Sequence, residues 1–207
     1  MAICMALMLA AAATAPGDDP LPRSMQVDDE WNSVSGIVSA RLGVWAGRSF
    51  SFQAVRTDST QATSKQQAFF SASLLGGVEF FDHVVVLGTY EADMASKISV
   101  QAGGAYVGWR EHPKQRYGKG VPDEVMIYAG VLVGRLDVQK DDFGSFGRGV
   151  GFGGGIEFGW SVSAHANVQF FAEYRNLKFD YKRDVLSGDD SIGGASGWFG
   201  VGLDYRF

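Results

Sequence analysis

The chain has little of what stabilises small secreted domains or crosses a membrane as a helix. Its 207 residues include one cysteine and five prolines. Cys4 stands near the start, so the rest of the chain has neither a disulfide nor thiol chemistry. The longest uncharged apolar run, residues 2–15, is shorter than the roughly 20 residues that a transmembrane helix needs. No apolar stripe of helical period occurs after residue 20. A disulfide-stapled fold and a helical membrane protein are therefore both disfavoured.

An excess of positive charge is also missing. The formal net charge is -5, with a pI of about 5.1, so no basic footprint indicates a nucleic-acid partner. The mean hydropathy of -0.02 resembles that of a soluble protein. It does not exclude a membrane β-barrel, because a barrel strand shows lipid only every second residue. Glycine, at 28 residues, is about twice as frequent as average.

The N-terminal 15 residues are typical of a secretory signal peptide, with cleavage expected near residues 12–15. No lysine or arginine precedes the apolar run, which a mis-assigned start codon would explain. A buried N-terminal helix is the alternative. Residues 16–32 hold three of the five prolines and several acidic residues, and they predict a periplasmic lead-in. The domain itself is expected at residues 33–207.

The C-terminal stretch alternates between apolar and small or polar residues, which is the pattern of a β-strand with two different faces. One face carries Phe199, Val201, Leu203, Tyr205 and Phe207, and the chain ends on that last phenylalanine. An aromatic terminus on a strand that is apolar outside and small or charged inside is typical of the closing strand of a membrane barrel.

Eight segments show such alternation. They span about 34–47, 67–80, 84–92, 98–109, 124–138, 147–160, 166–180 and the C-terminal stretch. The predicted fold is all-β, an antiparallel up-and-down transmembrane barrel of eight strands, with ten as the alternative. Turns are expected at 81–83 and 161–165 and outer loops at 48–66 and 181–193. The long connector 110–123 and the short one at 93–97 do not fit this scheme.

The faces of the fourth and fifth segments are assigned as follows. In the fourth, Ile98, Val100, Ala102 and Tyr106 are expected to point outward. In the fifth, which is apolar on both faces, Met126, Tyr128, Leu132 and Leu136 are placed outward because this puts Arg135 and Asp137 inside.

Two sets of residues follow from the expected faces. Aromatic residues near strand ends are predicted to form girdles at the membrane interface, with a soluble sandwich core as the alternative; they are Tyr90, Tyr106, Tyr128, Trp160, Tyr174 and Tyr205. Charged residues on the inner faces must pair, because a lone desolvated charge is costly. They are Arg41, Glu79, Glu91, Arg135, Glu157, Glu173, Arg175, Asp204 and Arg206. A plug of paired charges is the main interpretation, and a path for protons or ions is the other.

From about residue 33 onward the chain resembles the small outer-membrane β-barrel family that includes OmpA- and OmpX-like barrels. The resemblance rests on GVGFGGGIEFGW, a turn, VQFFAEYR, a polar loop and GWFGVGLDYRF at the terminus. It implies insertion by the barrel-assembly machinery, with the strand from Phe199 to Phe207 as the recognition signal. It implies no particular activity.

Motifs for chemistry are weak. Gly149, Gly151 and Gly154 form a G-x-G-x-x-G, but they lie within a strand rather than before a helix, so nucleotide binding is not expected. The inward glycines of this strand are instead expected to leave room for Trp198, Phe171 and Arg41. The three histidines, His83, His112 and His165, all map to periplasmic connectors, on the wrong side for outer-leaflet lipid chemistry. The acidic pairs 141–142 and 189–190 are interpreted as solvated loop, with divalent-cation binding as the alternative.

The sequence thus predicts a monomeric, non-enzymatic barrel without cofactor, with a structural or surface-interaction role. Its expected partners are outer-membrane lipid, lipopolysaccharide and the assembly machinery. The alternatives are a narrow pore for ions or small solutes and an outer-leaflet lipid-modifying enzyme.

Overall fold

The computed structural model describes residues 34–46, 51–55, 61–65, 70–94, 98–114, 121–138, 145–180 and 191–207. The predicted signal peptide and periplasmic lead-in lie outside these ranges, as do the acidic pairs 141–142 and 189–190. The strands are β1 (Val34–Ala46), β2 (Ser51–Val55), β3 (Gln61–Lys65), β4 (Phe70–Phe80), β5 (Val84–Met94), β6 (Ile98–Glu111), β7 (Glu124–Val138), β8 (Ser145–Ser161), β9 (Ala166–Asp180) and β10 (Ser191–Arg206).

Eight of these strands form one closed antiparallel barrel in the order β1-β10-β9-β8-β7-β6-β5-β4, and β1 pairs with both β10 and β4. The predicted all-β class and the count of eight are therefore confirmed. The alternative of a ten-stranded barrel is wrong, because β2 and β3 pair only with each other within the segment predicted as an outer loop. Closure leaves no strand edge unpaired, which is what strands in hydrocarbon require. No helix in the described ranges is long and apolar enough to span a membrane.

The two ends of the barrel differ in their connections. At one end, here called the turn end, β1 begins, β10 ends, and residues 81–83 and 162–165 form short turns. The longer connector 112–123 is also at this end. At the opposite end, here called the loop end, β1, β5, β7 and β9 end and β4, β6, β8 and β10 begin. The predicted turns are thus present, but β6 continues to Glu111, so Arg110 lies on a strand rather than in a connector.

The turn between β4 and β5 has an unusual backbone for its residues. Phe81 and Asp82 both have positive φ, at 57° and 56°, and the amide of His83 donates to the carbonyl of Phe80 over 3.1 Å. Three residues separate the paired Phe80 and Val84, and the two positive φ values resemble the central positions of a type I′ turn, which usually takes Asn-Gly. A left-handed conformation costs a residue such as phenylalanine about 1–2 kcal/mol. The turn therefore stores strain that the paired strands hold in place.

The faces predicted for β6 and β7 are wrong. Val100, Ala102 and Tyr106 of β6 are buried inside the barrel, and so are Met126, Tyr128, Leu132 and Leu136 of β7. The outer face carries instead Val107 and Trp109 on β6, and Ile127, Val131 and Val133 on β7. β7 is apolar on both sides, and β6 is apolar or small on both sides between Gly103 and Trp109, so alternation there does not distinguish the faces. Arg135 was expected inside but its side chain is 60% exposed, because it lies at the loop end, where a charge reaches water.

Candidate functional site

The interior of the barrel holds charged side chains from all eight of its strands. The structure places the predicted residues Arg41, Glu79, Glu157, Glu173, Arg175 and Asp204 in the interior, fully buried, and Arg206 partly buried. Glu91 is also inside, whereas Arg135 is not. The sequence analysis missed Asp93, Arg110 and Glu124, which are buried on inner faces too. These groups form three contiguous clusters from the turn end to the loop end.

Glu173 of β9 is the centre of the middle cluster. Its Oε1 accepts hydrogen bonds from Tyr106 Oη at 2.7 Å and Arg175 Nε at 2.6 Å, and its Oε2 accepts one from Tyr128 Oη at 2.8 Å. Arg41 Nη1 lies 3.8 Å from Oε2. Four groups from four strands thus surround one carboxylate. Such a desolvated carboxylate is tolerated because its charge is opposed and its lone pairs are used.

The glycines of β8 make space for this cluster. A Cβ on Gly153 would lie 3.1 Å from Tyr106 Oη, and one on Gly155 would lie 2.8 Å from Tyr128 Oη. These glycines therefore leave room for the two tyrosines, and not for the residues expected from the sequence. The two rings themselves pack edge to face, with centroids 5.1 Å apart.

Arg41 of β1 connects Glu173 to a second carboxylate. Its Nη2 forms an ion pair with Glu157 of β8, and its Nη1 donates to Tyr128 Oη at 3.2 Å. The guanidinium carbon also lies 5.3 Å from the centroid of the Phe171 ring. A buried arginine is stable only where such partners replace water. The contacts cross the lumen, so Arg41 ties β1 to the opposite wall.

Toward the loop end, Arg175 of β9 has the same role. Its Nη1 forms an ion pair with Glu91 of β5 and lies 3.8 Å from Asp93 Oδ2. Its guanidinium carbon stands 3.8 Å from the centroid of the Trp198 ring, a close cation–π contact. Asp93 in turn accepts a hydrogen bond from Ser71 Oγ of β4. The lumen is thus crossed by paired charges at this level as well.

The cluster at the turn end is built around Arg110, which sequence reasoning assigned to a connector. Arg110 Nη1 donates to Glu79 Oε2 at 2.9 Å, and Nη2 lies 3.4 Å from Asp204 Oδ2. Glu124 of β7 forms an ion pair with Arg206 and accepts from Asn167 Nδ2 at 3.2 Å. Extending β6 by one residue past Trp109 would have placed Arg110 on the strand, but only the reversed faces of β6 put it inside.

The described residues of the connector 112–123 contact neighbouring residues at the turn end. His112 Nε2 donates to the carbonyl of Asp82 over 3.2 Å, and Nδ1 lies 3.7 Å from Glu124 Oε1. Burial lowers the pKa of His112 below its ordinary value, with Glu124 opposing this shift and Arg206 adding to it. His112 is therefore neutral at pH 7.

Asp123 anchors the other end of the connector. Its Oδ2 accepts from the amide of Ser161 at 2.7 Å, and its Oδ1 pairs with Lys114 Nζ at 2.5 Å. Partial burial tends to raise the pKa of Asp123, but the hydrogen bonds from Lys114 and Ser161 outweigh this and lower it. Both ends of the connector are thus held to neighbouring turns by polar contacts.

The outer surface of the barrel is apolar over most of its height. Tyr90, Trp160 and Tyr174 are exposed on it, and Tyr205 lies on the outward side of β10, its ring centroid 6.0 Å from that of His165. The prediction that Tyr106 and Tyr128 belong to this surface is wrong: both are buried inside, where their hydroxyls bind Glu173. Exposed aromatics that the sequence analysis did not single out are Phe152, Phe170 and Trp109.

The apolar surface forms a continuous belt. On β8 it runs from Trp160 to Val150, ten residue steps, which corresponds to about 25 Å for a strand tilted by about 40°. Among the described residues, charged side chains on the outer surface occur only at the edges of this belt or beyond it: Glu111 and Lys114 toward the turn end, and Arg135, Asp137, Arg148 and Lys178 toward the loop end. A belt of this height matches the hydrocarbon thickness that an outer-membrane barrel spans.

The histidines do not form a catalytic arrangement. Ser163 Oγ accepts from the amides of His165 at 3.3 Å and Ala166 at 3.1 Å, so this hydroxyl stabilises the turn. The His83 ring stacks on Trp109 with centroids 5.0 Å apart, and its Nδ1 is 2.8 Å from the carbonyl oxygen of Arg110. No group of His, Cys, Asp and Glu side chains within the described ranges is arranged to hold a metal ion.

Comparison with known proteins gives structural likenesses only. No family model and no curated protein matches the sequence. Among solved structures, the neisserial surface protein A (NspA) is similar at 14% identity, with 85% of this chain and 100% of that chain covered and a TM-score of 0.47. The outer membrane protein OprG from Pseudomonas aeruginosa is similar at 10% identity, covering 84% of this chain and 96% of that chain, with a TM-score of 0.42. The N-terminal β-barrel domain of OprF from the same organism is similar at 12% identity, covering 83% and 97%, with a TM-score of 0.42.

Proposed function

We propose that the protein is an integral outer-membrane β-barrel with a structural or surface-interaction role and no catalysis. The observation that carries the proposal is the apolar belt on a closed barrel with charged residues buried inside it. A soluble protein would place its apolar side chains inside and its charges outside. Here the reverse distribution matches a barrel whose outer solvent is hydrocarbon.

The filled lumen favours a structural role over the alternative of a narrow pore. The glycine-lined wall of β8 would favour a pore if it left open space, but Tyr106 and Tyr128 occupy the space beside Gly153 and Gly155. Ion pairs cross the lumen at three levels, through Arg110, Arg41 and Arg175. Planar-bilayer recording of the refolded full chain distinguishes the two roles, because steady conductance above background would support the pore.

The alternative of an outer-leaflet lipid enzyme has less support. All three histidines are at the turn end, together with both described chain ends. In the proposed orientation this end faces the periplasm, so their side chains do not reach the outer leaflet. An altered lipid A mass spectrum in cells carrying His165→Ala would contradict this proposal.

We further propose that the terminal strand is the signal for the barrel-assembly machinery. Phe207 is 72% exposed on the outer surface, and its amide and carbonyl exchange hydrogen bonds of 3.1 and 2.9 Å with Gly36. The terminal residue is thus the last rung between β10 and β1. Val201, Leu203 and Tyr205 continue the same outward row toward it, below Phe199.

A pair of matched substitutions tests membrane insertion. Val131, on the apolar belt, is 65% exposed, and Val162, in the turn between β8 and β9, is 62% exposed. Arginine on the lipid face costs about 2–4 kcal/mol near the bilayer midplane and less toward the interface, whereas at an exposed turn it costs little. We expect Val131→Arg to lower the amount of heat-modifiable protein in the outer-membrane fraction, and Val162→Arg to leave it unchanged.

Results from fractionation, from gel migration or from the two variants would contradict the proposed membrane barrel. If both variants and the parent are recovered from the soluble periplasm, or if the band does not shift between unboiled and boiled samples, the protein is not an assembled membrane barrel. Equal tolerance of the two arginines would count against a lipid-facing belt.

A further inference from the structure

On three adjacent strands, the outer surface changes from apolar to basic toward the loop end. Arg135 of β7, Arg148 of β8 and Lys178 of β9 all have exposed side chains toward the loop end. We propose that these three residues, here called the basic row, bind the phosphate group of an outer-leaflet glycolipid, the phosphorylated lipid A portion of lipopolysaccharide. This inference rests on the proposed outer-membrane location, in which the loop end faces outward.

The register brings the basic row together. Arg135 and Arg148 are direct Cα partners across β7 and β8, and Lys178 is opposite Val150, two residues from Arg148. Direct cross-strand neighbours have Cβ atoms about 5 Å apart, and diagonal ones about 7–8 Å apart. Three cationic side chains at such spacings reach a single phosphate group. Arginine in particular binds phosphate oxygens through two parallel N–H donors.

Among the described residues, the basic row has fewer ion-pair partners than the charges inside the barrel. Like charges directly opposite each other destabilise a sheet. Arg135 Nε donates to Asp137 Oδ1 at 3.0 Å, but no ion pair joins Arg148 or Lys178 to another of the described residues. In a chain of net charge -5, two directly opposed arginines are a local excess of positive charge, which attracts an external anion.

Polar amides stand beside the basic row and extend its capacity for hydrogen bonds. Gln101 of β6 is the Cα partner of Arg135, and Asn176 precedes Lys178 by two residues on the outward side of β9. Both side chains carry N–H groups that donate to phosphate or sugar oxygens. Polar side chains near the loop-end edge of the apolar belt therefore occur on β6, β7, β8 and β9.

The surface immediately below the basic row identifies the anion as a lipid. Val133 and Val150, which are 60% and 64% exposed, are direct partners one outward step below Arg135 and Arg148. Phe152 and Tyr174 follow on β8 and β9, with ring centroids 6.3 Å apart. A phosphate held at the basic row would have its acyl chains against this apolar surface, whereas free phosphate would gain nothing from it.

The test uses the full chain refolded in a zwitterionic detergent and titrated with diphosphoryl lipid A, with binding measured by native mass spectrometry. We expect Arg148→Gln to weaken binding about tenfold, as for the loss of one charge-assisted contact. Lys114→Gln is the matched control: it removes one positive charge from a side chain that is 53% exposed at the opposite end. It should bind lipid A like the parent.

Stability without lipid gives an independent readout. Because Arg148→Gln removes a like-charge repulsion, its unfolding temperature in lipid-free detergent should equal or exceed that of the parent. Lipid A should then raise that temperature less in the variant than in the parent. A variant that unfolds earlier without lipid would show that Arg148 has a stabilising partner in the protein, and would overturn the proposal.

Two further arms identify the source of the anion. Dephosphorylated lipid A should bind about tenfold more weakly than the diphosphoryl form, and inorganic phosphate at millimolar concentration should not compete. Equal binding of both lipid forms, or equal effects of Arg148→Gln and Lys114→Gln, would overturn the proposed site. If the protein fractionates with the outer membrane but shows these results, only this inference fails; recovery in the soluble periplasm would instead contradict the proposed function.

Discussion

The central prediction concerns Glu173, because one carboxylate holds together side chains from four strands. We expect Glu173→Gln to lower the free energy of unfolding by about 2–3 kcal/mol. Removing one partner of a buried ion pair costs about 3–5 kcal/mol where the other charge is left alone. Here the cost is reduced because Arg41 keeps Glu157 and Arg175 keeps Glu91.

The amide also retains part of the hydrogen bonding. Its carbonyl oxygen still accepts from one of the hydroxyls of Tyr106 and Tyr128, and its N–H₂ group has the other hydroxyl as an acceptor. What is lost is the charge that opposes Arg175 Nε at 2.6 Å and Arg41 Nη1 at 3.8 Å. The predicted loss of stability therefore measures electrostatic compensation rather than packing.

The assay is urea-induced unfolding of the protein in phosphatidylcholine vesicles, followed by the fluorescence of its five tryptophans. Glu111→Gln is the matched control, since Glu111 is exposed and accepts a hydrogen bond from Trp109 Nε1 at 2.7 Å. Its substitution should change stability by less than about 0.5 kcal/mol. Equal small effects of the two substitutions would refute the view that Glu173 holds the lumen network together.

Three further predictions concern the chain terminus, the connector and the strained turn. Deleting Phe207 should sharply reduce the amount of assembled protein in the outer membrane, measured on immunoblots. The control Phe199→Ala removes a ring from the same face of the same strand and should reduce that amount only mildly, at a stability cost of about 2–4 kcal/mol. Equal mild losses in both variants would mean that Phe207 is not an assembly signal. Folding lowers the pKa of His112, so the unfolded chain binds the proton more readily and stability should fall as pH drops below about 6.5. Between pH 7.5 and 5.5 the urea midpoint of His112→Gln should fall less than that of the parent. Parallel pH profiles of the two proteins would contradict this prediction. Phe81→Asn and Asp82→Gly relieve positive φ, so each should raise the free energy of unfolding by up to about 1 kcal/mol, seen as a higher urea midpoint. A lower midpoint in both variants would show that the side chains of Phe81 and Asp82 stabilise the turn by more than the strain costs.

The outward faces of six strands followed from alternation alone. In β1, β4, β5, β8, β9 and β10 the outward parity is mostly apolar, and the other parity carries glycine, polar or charged residues together with some buried apolar ones such as Val85 and Leu87. A strand turns successive side chains to opposite faces, so such a pattern leaves a single consistent orientation. The exposed positions of Phe170 and Phe199, and the buried ones of Glu79 and Asp204, agree with that reasoning.

The faces of β6 and β7 did not follow, for a specific reason. β7 is apolar on both sides, and β6 is apolar or small on both sides between Gly103 and Trp109. The charges that oriented β7 in the prediction, Arg135 and Asp137, lie past the belt, where facing outward costs nothing. The wrong parity then hid Tyr106, Tyr128 and Arg110 from the list of interior residues. An inner tyrosine is also not distinguishable from an interfacial one by residue type, because both present an apolar ring with a polar tip.

The sequence by itself determined that the chain forms antiparallel strands with a lipid-type outer face and ends on an outward phenylalanine, because a two-residue period and a terminal residue are local properties. Only the tertiary structure decided which strands close the barrel, and which charges meet inside it. Glu173 and Arg41 are brought together by the β9–β10 and β10–β1 registers, and the Arg135–Arg148 opposition by the β7–β8 register. Register depends on the pairing of whole strands through their turns and bulges, so it is a property of the assembled sheet and of no single segment.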